Sequence, residues 1–99
     1  MLLGDLLARF SDEAIASEAI LALGDLALVA RLRAAATANG TTLGAYAAAA
    51  VQHYAAEAPD EEWVTLMGAL GRGADPGATC LHRALTYAVA ERERAQRAL

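Results

Sequence analysis

Apolar positions recur three and four residues apart along nearly the whole chain, the spacing that gathers side chains onto one side of a helix. Leu2, Leu3, Leu6, Leu7 and Phe10 form the first such stripe and predict a short amphipathic helix ending before Ser11. Ser11-Asp12-Glu13 reads as the next helix start, because a serine can cap exposed N–H groups and acids complement the positive end of the helix dipole. The run from Ala14 to Leu23 is ambiguous. Its Ala and Glu content favours helix, but Ala19-Ile20-Leu21-Ala22-Leu23 has the length and apolarity of a buried strand, so one short strand near residues 19–23 stays open.

Gly24-Asp25 breaks the pattern, and Asp25 can cap a helix from Leu26 to Ala38 whose inward stripe is Leu28, Val29 and Leu32. Asn39-Gly40 ends that helix, since both residues tolerate the left-handed backbone that closes helices, and Thr41-Thr42 supplies the next cap. Leu43, Tyr46, Ala47, Ala50, Val51 and Tyr54 share one face of the following helix, which runs to about Ala58. Pro59-Asp60-Glu61-Glu62 starts a fifth, with Trp63, Val64, Met67 and Leu70 on its apolar side and Gly71-Arg72-Gly73 as its stop. Asp75-Pro76 opens the last, in which Cys80, Leu81, Ala84, Leu85, Ala88 and Val89 face inward. Its end, residues 91–99, is a polar extension supported by Glu93 and Arg97 four residues apart. The expected fold is mainly α: one domain over residues 1–99, a compact bundle of about five to six short helices.

Composition reinforces helix and raises a question of stability. The chain has 27 Ala and 15 Leu and few β-branched residues. Alanine lets helices approach closely but removes little apolar area from water, at about 25 cal/mol per Å². With 57% hydrophobic residues in 99 positions, a homodimer or a protein partner is the expected way to cover what one small core leaves exposed. The net charge of -4 excludes a surface that is basic throughout, as general nucleic-acid binders have. A single cysteine forms no internal disulfide, which points to the cytoplasm, and Gly4, Asp5 and Arg9 interrupt the apolar start before a signal core or membrane span is complete.

The inventory for catalysis is thin. Cys80 and His82 lie about 200° apart around a helix and cannot both face one ion, so neither a metal nor a cofactor is expected. The acids Glu57, Asp60, Glu61 and Glu62 surround a proline and a helix start, where a dipole-complementing role accounts for them. Gly71-Arg72-Gly73 lacks the strand and lysine of a phosphate loop. No enzymatic activity is expected, and Leu21, Leu23, Tyr46, Tyr54 and Trp63 are the candidate interface residues of a protein-binding or regulatory module.

From about Ile20 to Ala56 the chain resembles the ribbon-helix-helix family of bacterial repressors and antitoxins. Ile20-Leu21-Ala22-Leu23 stands in the place of the strand, Asp25 at the first helix start and Leu28-Val29-Ala30-Arg31-Leu32-Arg33 along that helix. Asn39-Gly40-Thr41-Thr42 matches the turn and Leu43-Gly44-Ala45-Tyr46 the second helix. The resemblance implies a DNA-binding regulator in which Arg31, Arg33, Thr41 and Thr42 would contact phosphates. It also implies that Leu21 and Leu23 stand where polar base-reading side chains belong, and leucine makes no hydrogen bond to a base edge. Duplex DNA binding is therefore expected to be absent, or weak and steeply salt-dependent.

Overall fold

The computed structural model describes residues 3–73 and 75–97, with the side chains of Leu3 and Leu6 also outside the description, as are Met1, Leu2, Ala74 and residues 98–99. Six helices follow in order: α1 (Leu3–Arg9), α2 (Glu13–Leu23), α3 (Leu26–Ala38), α4 (Leu43–Glu57), α5 (Asp60–Arg72) and α6 (Pro76–Arg97). The breaks fall where the capping chemistry places them. Asp25 accepts from the Leu28 N–H at 3.0 Å, Thr42 from the Ala45 N–H at 3.1 Å and Asp75 from the Ala78 N–H at 3.1 Å. Each satisfies a donor that has no partner within its own helix.

At α2 one local expectation is corrected and one open alternative is decided. Asp12 rather than Ser11 is its cap, accepting from the Ala14 and Ile15 N–H groups, while the Ser11 hydroxyl turns back to the Ala8 carbonyl at 2.6 Å and closes α1. Residues 19–23 are helix, not strand. Gly24 adopts φ 73°, in the left-handed region, and its N–H reaches the Leu21 carbonyl. The helix thus terminates with its backbone paired, whereas a strand there would find no extended partner among the described residues.

Helices α4 and α6 form the centre: α4 packs on α1, α2, α3 and α6, and α6 touches all five others. The fully buried side chains, Ile20, Leu32, Val51, Tyr54, Leu66, Cys80, Leu81, Leu85 and Val89, come from five helices and belong to one core. Alanine permits close approach, and Gly44 takes it further. A Cβ placed on Gly44 would lie 2.6 Å from the Glu13 carbonyl oxygen, so α4 crosses the first turn of α2 nearly backbone to backbone.

At α5 the expected apolar side is inward only in part: Trp63 and Leu70 pack against the core as expected. Leu66 and Glu62 face inward, while Val64 and Met67 are exposed. An inward glutamate is unreadable from periodicity, and what permits it is a cation and a hydroxyl supplied by other helices. The extension of α6 is helical to Arg97, but Glu93 is held by Arg31 of α3 rather than by Arg97, with guanidinium-to-carboxylate distances of 2.7 and 3.0 Å. Among the described residues no helix is long and apolar enough to cross a membrane.

Candidate interaction surface

One charged side chain is buried among the described residues. Glu62, 6% exposed, receives Arg83 Nε at 2.5 Å and Nη2 at 2.8 Å, one on each carboxylate oxygen, and the Tyr54 hydroxyl donates to Oε1 at 3.0 Å. This forked pairing satisfies the buried charge, without which desolvation would make its burial unfavourable. The Arg83 guanidinium is held more firmly protonated by that hydrogen bond. Burial, reinforced by the hydrogen bond to Glu62, pushes the Tyr54 hydroxyl far above the ordinary tyrosine range. Tyr54 also stacks at tilted and edge angles on Trp63 and Tyr87, with ring centroids 5.4 and 5.5 Å apart. Five side chains from α4, α5 and α6, Tyr54, Glu62, Trp63, Arg83 and Tyr87, thus fasten α5 to the centre of the bundle.

The candidate interface residues do not lie together on the surface. Tyr54 is buried within the chain and is corrected from interface to core, because its ring fills the space between α4, α5 and α6. Trp63 is half-buried, packs on the core and donates Nε1–H to the Ala58 carbonyl at 3.1 Å. Leu23 is half-buried against the core, while Leu21 points away, 58% exposed. Tyr46 is half-buried, with its hydroxyl pushed up by burial, and lines an open cleft of about 330 Å³ with His53, Tyr87 and Arg92.

Of the candidate phosphate contacts, Arg31 is engaged by Glu93 and Thr42 caps α4, leaving Arg33 and Thr41 exposed. The remaining chemistry is subdued. Cys80 is buried, and burial pushes its thiol up, away from the reactive thiolate. His82 contacts the Asp25 carboxylate at 3.0 Å, tying the cap of α3 to α6. Among the described residues no three His, Cys, Asp or Glu side chains are grouped to hold a metal ion.

What stands out on the surface is apolar. Leu26 is 80% exposed, Val64 72%, Leu21 58% and Met67 57%. They form two pairs: Leu21 and Leu26 flank the Gly24-Asp25 break, and Val64 and Met67 lie one turn apart on α5. In the sequence, Leu21 is an interface candidate and Val64 and Met67 are apolar positions of α5. The exposure of the α5 pair follows from the inward turn of Glu62. Leu26 sits at the first helical position after the Asp25 cap and carries no signal that separates it from a core leucine.

The fold defines the chain as an all-α helical bundle. Comparison with known proteins adds no nearer relation: no family model matches, and neither a curated protein nor a solved structure is significantly similar.

Proposed function

We propose that this chain is a non-enzymatic protein-interaction module of the cytoplasm that associates with a second copy of itself. The observation that carries the reading is the outward placement of Leu21, Leu26, Val64 and Met67, each more than half exposed. A bundle whose core is complete without them gains nothing from four large apolar groups in water, whereas burying one such side chain at an interface contributes about 1.5–3 kcal/mol. Alanine-rich packing points the same way, because it leaves the isolated chain with little buried area per residue. The non-catalytic part of the reading is supported by the tying up of polar groups: Glu62 by Arg83 and Tyr54, Asp25 by His82, and Cys80 by burial. A DNA-binding role draws less support, because Arg31 is bound to Glu93 and residues 20–23 are helical.

Sedimentation equilibrium of the full chain tests this. A dimer at micromolar concentration is expected, and changing Leu21, Leu26, Val64 and Met67 together to Gln should give a folded monomer. A native chain that stays monomeric up to about 100 µM, weaker than most specific assemblies, overturns the reading.

A further inference from the structure

Helix α5 is the edge of the bundle. Its one extensive packing partner is α6, reached through the side that carries Glu62 and Leu66. The opposite side carries Val64 and Met67, and at three- and four-residue spacing Gly68 and Gly71 continue the same stripe. The two ends of this stripe bear opposite charge: Asp60 and Glu61 in the first turn, Arg72 in the last. Among the described residues none of these three charges takes part in an ion pair within the chain. The Arg72 guanidinium lies back over Gly68, 3.4 Å from where a Cβ would stand.

We propose that α5 pairs antiparallel with α5 of a second copy across a two-fold axis on its outer face, level with the middle of the helix and beside Met67. This deepens the self-association reading and rests on it. Antiparallel pairing brings the acidic end of each helix to the basic end of the other, twice over by symmetry. Parallel pairing would set acid on acid and Arg72 on Arg72. The register that opposes Asp60 to Arg72 also opposes Val64 to Gly68 of the second copy, so a branched apolar side chain meets a position without one. Charge and shape therefore select the same alignment independently. The free chain keeps Arg72 folded over Gly68, and in the dimer that guanidinium swings to the incoming carboxylate and vacates the space for valine.

Orientation is tested by cysteine cross-linking of the full chain, in which native Cys80 is buried and does not compete. Met67→Cys, close to the axis, should form an intermolecular disulfide with itself. A mixture of Asp60→Cys and Arg72→Cys chains should cross-link, while Asp60→Cys alone should not. Val64→Glu with Met67→Glu, at exposed positions that leave the fold intact by circular dichroism, should weaken dimerisation about 100-fold or more by placing four like charges in the seam. Leu21→Gln with Leu26→Gln, outside the α5 seam, should weaken it far less. If the Leu21/Leu26 variant becomes monomeric and the α5 variant does not, or if Asp60→Cys cross-links with itself, the antiparallel α5 pairing is wrong while self-association stands. A native chain that is monomeric throughout refutes both.

Discussion

Replacing Arg83 by Met keeps an unbranched apolar stem but removes both bonds to the Glu62 carboxylate, leaving it only the Tyr54 hydroxyl. Breaking a buried pair from one side costs about 3–5 kcal/mol when the abandoned charge is sealed from water. Glu62 is 6% exposed, but its partner Arg83 is 38% exposed, so water can enter where the guanidinium was. A loss at or just below the bottom of that range, about 2–3 kcal/mol, is therefore expected. For a domain of this size that corresponds to a fall of about 10–15 °C in the thermal midpoint, read by calorimetry or by circular dichroism. Combining Arg83→Met with Glu62→Leu removes the stranded charge as well, and a partly buried ion pair replaced by apolar groups is close to neutral. The double variant should therefore recover most of the loss, giving a coupling of about 2 kcal/mol in a double-mutant cycle. A cost below about 0.5 kcal/mol for Arg83→Met, or simple additivity, would show that Glu62 is solvated and that α5 is not fastened this way.

Other consequences can be checked on the same material. Gly44→Ala should lose about 1–3 kcal/mol in urea unfolding, because its Cβ has no room beside the Glu13 carbonyl, whereas Gly4→Ala, with open space, should not; equal losses would refute the close crossing of α2 and α4. Tyr54, Tyr46 and Cys80 are all raised, so their contribution to stability is complete below their unfolded values and is lost as pH rises through the folded ones. Stability should decline above pH of about 9, and Tyr54→Phe should flatten that limb; an unchanged alkaline limb in this variant would contradict the assignment. Asp25 is held below the ordinary carboxylate range by His82 and Glu93 by Arg31, so their contribution is present above about pH 4 and lost as pH falls through the folded values. Asp25→Asn with Glu93→Gln should reduce that acid dependence. Arg31→Ala should free the last turns of α6, seen as faster amide exchange over residues 91–97, with little effect on global stability because the pair is solvent-exposed.

Local chemistry determined most of the helices. Caps and stops act within three or four residues, so Asp25, Thr42, Gly40, Pro59 and Asp75 carry their meaning in the sequence, and Leu28, Leu32, Val51, Leu81, Leu85 and Val89 are read as core from spacing alone. The same locality left residues 19–23 open, since a short apolar run suits helix or strand until its pairing partners are known. Only the tertiary structure decided which polar groups go inside. Glu62 is buried because Arg83, twenty-one positions away, and Tyr54, eight positions away, converge on its two oxygens. Arg31 and Asp25 are likewise drawn to Glu93 and His82 of α6. That long-range choice also fixed the surface. On α5, Glu62 and Leu66 are buried beside the core-packed Trp63 and Leu70, and Val64 and Met67 are left exposed. Periodicity marks which residues of a helix are apolar, but which face is covered depends on where distant charges find their partners.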